Sequence, residues 1–151
     1  MDKNQALNRA MALCSRKEYC ESAIRNKLQF WEVEPVAVDE IIEILIREKF
    51  IDDMRYALAY ARDKIRINYW GKVKVRYMLS MERVKSTVID QALGEIEDET
   101  YSEVLTVLLK RKSREMKNEP DPRIKRQKLI KFAQGRGFEI DIILRVMKEG
   151  D

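Results

Sequence analysis

Five apolar positions recur three times along this chain at almost constant spacing. Ile24, Val75 and Leu129 form the first set, and Leu28, Leu79 and Ala133 the second. Val33, Val84 and Phe138 follow, then Val38, Ile89 and Ile143, and finally Ile42, Leu93 and Met147. The offset is 51 residues and then 54. Any two amphipathic helices share some positions when overlaid, but five matches through two helices and the turn between them point to tandem repetition. A unit of this size cannot bury its apolar face alone, so neighbouring units must stack.

The local signals agree with helices. Only 5 Gly and 3 Pro occur in 151 residues, which leaves little turn chemistry and favours long helices over many short strands. Ala6, Leu7, Ala10, Met11 and Cys14 make one helical stripe. Ser15-Arg-Lys-Glu18 reads as a capping box that opens a second helix, carrying Tyr19, Ala23, Ile24, Leu28 and Trp31. A third follows Pro35 and runs on toward Phe50 and Ile51. Asp52 and Asp53 then cap a helix reaching about Ile67, with Tyr56, Ala57, Tyr60 and Ala61 on its face. Residues 68–71 form a turn, and two further helices end at Gly94. A long helix follows Asp98 and frays near Lys117; Asp121-Pro122 starts the next, which Gly135-Arg-Gly137 breaks before the last. The expected fold is all-α, with three tandem three-helix repeats over 1–51, 52–97 and 98–151. One continuous core would join them into an elongated, curved, right-handed-type array.

Charge is segregated along the chain. The net charge is +4, yet residues 62–85 carry eight Lys or Arg against Asp63 and Glu82, and residues 110–136 carry eleven against Glu115, Glu119 and Asp121. Between them, residues 86–103 hold six acids and no base, and residues 30–61 are also acidic. A charge run is usually a solvated helix face, but two basic blocks of this density suit phosphate binding. In the second unit Arg62, Arg66, Lys72, Lys74 and Arg76 are the candidates. Lys72, Arg76 and Arg83 share one side if a single helix spans them, and Lys74 lies off that stripe. In the third, Arg111, Arg114 and Lys117 step along the end of the long helix, and Arg123, Arg126 and Lys131 extend the charge onto the next. Together they are expected to line one basic surface.

Other chemistries lack their residues. The sequence has no His, which excludes Ser–His–Asp and Cys–His catalysis and most metal sites. Cys14 and Cys20 are too few for a disulfide framework or a zinc set, and a reducing cytoplasm is the expected setting. Met-Asp-Lys-Asn opens the chain with no apolar run behind it, so neither a secretory signal nor a membrane span is expected. The Asp52-Asp53 pair is assigned to helix capping, not acid–base work, because no third ligand is spaced to join it. Tyr69-Trp70-Gly71 lies between two cationic helices and has two readings. Trp70 either plugs a junction between repeats, the favoured one, or stacks on an exposed base as single-strand binders do. Trp31 is expected to share its packing role.

These residues resemble the RecX family, bacterial regulators of the RecA recombinase. The most specific stretch is Phe50-Ile-Asp-Asp-Met-Arg-Tyr-Ala57, similar to the family's junction between its first two units. Ser15 and Glu18 with Arg25 and Leu28 resemble the first unit, and Trp70-Gly71 with Lys74, Arg76 and Leu79 the second. Arg136-Gly137-Phe138 with Ile142 resembles the third. The chain departs from the family at Phe30-Trp-Glu-Val33, at Pro35 and at Arg83, where Gly is common, and an altered turn geometry is expected there.

The resemblance implies a non-enzymatic protein that lies in the groove of the RecA filament on single-stranded DNA. From there it limits filament growth, ATP hydrolysis, strand exchange and co-protease activity, with a role in DNA repair and the SOS response. It implies no cofactor, free DNA as a second partner and a monomeric protein. Two other readings stand beside it. A helical module for free DNA or an adaptor for another protein would leave RecA untouched, and a nuclease would need an acidic metal cluster inside a basic cleft.

Overall fold

The computed structural model describes residues 1–150, and every regular element among them is an α-helix. The first repeat supplies α1 (Lys3–Arg16), α2 (Glu21–Phe30) and α3 (Pro35–Arg47). The second supplies α4 (Asp53–Arg66), α5 (Lys72–Met81) and α6 (Ser86–Gly94), and the third α7 (Asp98–Glu115), α8 (Pro122–Gly135) and α9 (Ile140–Glu149). These residues form two compact units. One contains Met1–Leu58 and Leu79–Gln91; the other contains Ala59–Met78 and the segment from Ala92 onward. In the first unit α1, α2 and α3 pack on one another around Ala6, Ala10, Ile24, Leu28, Ile41 and Leu45, all fully buried. In the second, α7, α8 and α9 enclose Leu105, Ala133 and Ile143.

Of the fifteen positions picked out by the repeat, only Met147 is not buried. The overlay therefore marks the core itself. It also marks a shared turn. Between the second and third helix of each repeat the backbone enters the left-handed region at equivalent residues, Glu32 (φ 60), Arg83 (φ 61) and Gly137 (φ 97). The next amide closes back onto the preceding helix in each: Val33 N to Leu28 O (3.1 Å), Val84 N to Leu79 O (3.2 Å) and Phe138 N to Ala133 O (3.1 Å). This is a Schellman closure. The altered geometry expected at residues 30–33 and at Arg83 is thus corrected: the turn is kept without glycine. Left-handed backbone costs an ordinary residue about 1–2 kcal/mol, and the buried Val33 and Val84 that follow offset it.

The first helix boundary also differs from expectation. Ser15 and Glu18 do not form a capping box. Ser15 lies inside the last turn of α1, where its hydroxyl donates to Met11 O at 2.9 Å, a back-bond open to any helical serine. Glu18 instead accepts from Arg55 Nε at 2.7 Å, and Tyr19 precedes α2. The capping box is Asp2–Gln5, with Gln5 N donating to Asp2 Oδ1 (2.8 Å) and Asp2 N to Gln5 Oε1 (3.2 Å). Cys20, at the N-cap of α2, supplies no side-chain bond to the amides of that helix. The Glu21 amide donates to Asp53 Oδ1 at 2.8 Å, while Asp52 Oδ1 accepts from Arg55 N at 3.1 Å. The carboxylate pair therefore serves two helix ends, each such bond contributing about 1 kcal/mol.

That contact has a counterpart in the second unit. The Lys72 amide, 51 residues on from Glu21, donates to the Tyr101 hydroxyl at 2.9 Å. Tyr101 itself donates to Glu139, as Tyr56 donates to Glu82. In the first unit the Ser22 hydroxyl also donates to Glu82 O at 2.5 Å. In the second, backbone meets backbone: Gly71 N donates to Arg136 O (2.8 Å) and Val73 N to Gly137 O (3.0 Å). A Cβ on Gly71 would lie 2.2 Å from Gly137 C and O. Both α2 and α5 thus dock their first turns on the following repeat.

Candidate nucleic-acid interface

The turn between α4 and α5 is where the second unit gathers its cations. Trp70 N closes onto Lys64 O at 3.1 Å, which folds the end of α4 back over the aromatic pair. Tyr69 sits in the left-handed region (φ 56), an uncommon place for an aromatic residue. Arg136, from the C-cap of α8, holds the turn by donating from its guanidinium to Asn68 O and, at 3.4 Å, to Tyr69 O.

Side chains from three helices converge on the two rings. The Lys64 and Lys74 ammonium groups lie 5.0 and 4.3 Å from the Trp70 ring centroid. The Arg111 guanidinium lies 4.7 Å from that of Tyr69. Tyr60 meets Trp70 edge-on, with centroids 6.4 Å apart and planes at 63°. Nearby, Lys72 places its ammonium 4.9 Å from the Tyr101 ring, which stacks on Phe138 at 5.2 Å. Burial, then the hydrogen bond to Glu139, push the Tyr101 hydroxyl well above the usual tyrosine range. Among the described residues Lys64, Lys72, Lys74 and Arg111 form no ion pair with a carboxylate. Each cation rests on an aromatic face, worth about 0.5–1 kcal/mol at exposed sites, and keeps its charge unneutralised.

The remaining candidates are more scattered. Arg62 and Arg66 are exposed and line a small cleft with Ile65, Ile96 and the acidic Glu95 and Glu97. Arg76 projects from α5, but α5 ends at Met81, so Arg83 lies in the following turn and the expected stripe of Lys72, Arg76 and Arg83 on one helix is not formed. Lys117 likewise falls beyond the end of α7, which holds Arg111 and Arg114. Arg123, Arg126 and Lys131 are exposed on α8, whose N-cap Asp121 accepts from Arg123 N at 2.9 Å.

Two contributors escaped the sequence reading. Lys64 lay in the basic block with nothing to set it apart. Arg136 is 67 residues from Tyr69, a juxtaposition no local spacing encodes. Trp31 has the expected packing role, half-buried against the core of the first unit, but it does not stand at the position equivalent to Trp70. Trp31 is the C-cap of α2, under the Arg9 guanidinium at 4.3 Å. The residue 51 positions before Trp70 is Tyr19, and it too carries two ammonium groups, Lys17 at 4.8 Å and Lys27 at 5.6 Å.

No helix among the described residues is long and apolar enough to cross a membrane, and no group of three His, Cys, Asp or Glu is placed to hold a metal ion. Comparison with known proteins gives the lineage. The first, second and third three-helix domains of RecX match residues 6–45, 52–93 and 99–147, in that order. The chain belongs to the RecX family. A "Regulatory protein RecX" of Clostridium acetobutylicum is 33% identical over 95% of this chain and 68% of its own length. One from Prosthecochloris aestuarii is 28% identical over 98% of this chain and 95% of its own. Some clostridial RecX proteins are longer still, the chain spanning 60% of one from Clostridium botulinum. The crystal structure of RecX from Lactobacillus salivarius shares the fold with a TM-score of 0.92 at 22% identity, covering 97% of this chain and 95% of that one. A second RecX crystal structure gives 0.87 at 25% identity, over 97% of this chain and 71% of the other.

Proposed function

We propose that this RecX-family protein regulates the RecA recombinase by binding the RecA–DNA filament and limiting its extension and ATPase, in the cytoplasm and without chemistry of its own. The observation that carries this reading is the match of all three RecX three-helix domains in order along the chain. The repeats 1–51, 52–97 and 98–151 would each contribute contacts to the filament. A regulator of this kind needs only to bind one state of the filament better than another.

The basic residues Lys72, Lys74, Arg76, Arg111, Arg114, Lys117, Arg123, Arg126 and Lys131 would look toward DNA phosphates, with Arg62 and Arg66 at the margin because Glu95 and Glu97 offset them. The acidic stretches 32–53 and 90–103 would meet basic RecA surfaces, since complementary charge fixes register. The direct test is RecA's single-stranded-DNA-dependent ATPase with this protein added below one copy per RecA. Turnover falling at such ratios is the expected result; unchanged turnover with tight DNA binding would make the protein a helical DNA-binding module. The division of faces has its own test: neutralising Arg111, Arg114, Arg123 and Arg126 together should weaken DNA affinity, and unchanged affinity removes it.

A further inference from the structure

The turn of residues 68–71 does more than pack. Four features coincide there. An aromatic residue is held in left-handed backbone, and Arg136, from another repeat, pins the turn's carbonyls. The two rings are half-buried, leaving part of each ring system at the surface. Lys64, Lys74 and Arg111 surround them without a carboxylate partner among the described residues. Packing alone requires none of the three cations, and three positive charges gathered around one turn attract an anion.

We infer that this turn is a site for single-stranded nucleic acid, with one strand's phosphates at Lys64 and Lys74 and a base stacked against the Tyr69–Arg111 pair. Trp70 is then the scaffold that spaces the two ammonium groups, which reconciles its packing with a binding role. A base has a π-face for Tyr69 and for the guanidinium plane, whatever its identity, so the site is sequence-tolerant. An acidic protein segment would satisfy the cations and leave the stacking surface unused. The first repeat carries a smaller version, Tyr19 between Lys17 and Lys27, immediately before α2. The inference deepens the filament reading by naming the residues that touch exposed DNA, and it can stand if that reading falls.

The test uses the full chain with Trp31→Phe, so that Trp70 is the sole fluorophore of its kind. Thymidine oligonucleotides should change Trp70 emission, with an affinity that drops steeply with salt. Two phosphate contacts give a log–log slope of about −1.4 on a single strand. Polyglutamate of equal charge should bind more weakly, and inorganic phosphate should bind without the same change in emission. Tyr69→Gly removes the ring yet suits the backbone conformation, so the turn survives; it should lower oligonucleotide affinity about tenfold, and Lys64→Ala with Lys74→Ala should flatten the salt slope. Polyglutamate binding as tightly as the oligonucleotide, or Tyr69→Gly leaving affinity unchanged while circular dichroism shows a native fold, overturns the assignment. RecA ATPase measured alongside separates the two ideas: wild-type protein without effect on RecA but with Tyr69-dependent oligonucleotide binding supports the site and refutes the filament reading alone.

Discussion

A methyl group added at Gly71 would meet backbone on every side. Gly137 C and O and Phe138 N each lie 2.2 Å from where a Cβ would stand, and none of them belongs to a flexible side chain that can swing aside. Gly71→Ala must therefore push α5 away from the turn after α8. The first cost is overpacking, about 1–3 kcal/mol. The second is the pair of hydrogen bonds from Gly71 N and Val73 N to Arg136 O and Gly137 O, at about 0.5–1.5 kcal/mol each. Together they should destabilise the protein by roughly 3 kcal/mol or more, a fall in Tm on the order of 6–12 °C for a chain of this size. Gly94→Ala is the matched control, because nothing lies within 4 Å of its added Cβ. It should be neutral or stabilising by about 0.5 kcal/mol through helix propensity. Urea and thermal denaturation followed by far-ultraviolet circular dichroism would compare them. Gly71→Ala unfolding at the same midpoint as Gly94→Ala would refute the close backbone docking on which the second junction rests.

Three further outcomes follow from the same contacts. Tyr101→Phe keeps the stack on Phe138 but strands the Lys72 amide and the Glu139 carboxylate, and should cost about 1–3 kcal/mol by urea denaturation. Because the folded Tyr101 pKa is raised above the unfolded value, its contribution is complete below about pH 10 and is lost as pH rises beyond, where only the unfolded chain releases the proton; Tyr101→Phe should lose that alkaline slope in stability–pH curves. Arg83→Gly relieves left-handed backbone and should raise stability by about 0.5–1 kcal/mol, whereas a loss would show that the Arg83 side chain contributes more than its strain. Burial first and the Glu18 carboxylate second raise the Cys14 pKa, so its alkylation at pH 8 should be slower than that of a free cysteine. Glu18→Gln should speed it; an unchanged rate would dismiss the electrostatic part.

Helix content, repeat number and core were legible because they depend on short-range periodicity. Side chains three and four apart share a face wherever the chain is helical, so Ile24, Leu28, Val33, Val38 and Ile42 announce a buried stripe, and their counterparts announce its repetition. The Asp121-Pro122 start and the Gly137 stop are local in the same sense. Ser15 and Glu18 misled because a capping box and a serine bonding back within its helix use the same residue types. What separated them was Arg55, 37 residues away from Glu18 and brought there by packing. The basic blocks were visible as composition, but which cations meet was not. Arg111 and Arg136 reach the Tyr69–Trp70 turn only because Gly71 and Gly137 let two repeats touch backbone to backbone, and Lys64 reaches it because left-handed Tyr69 reverses the chain. Sequence by itself determined the helices and the apolar faces they must hide. Tertiary structure decided which polar groups are brought together, since contacts across repeats depend on helix packing, and no spacing along the chain records it.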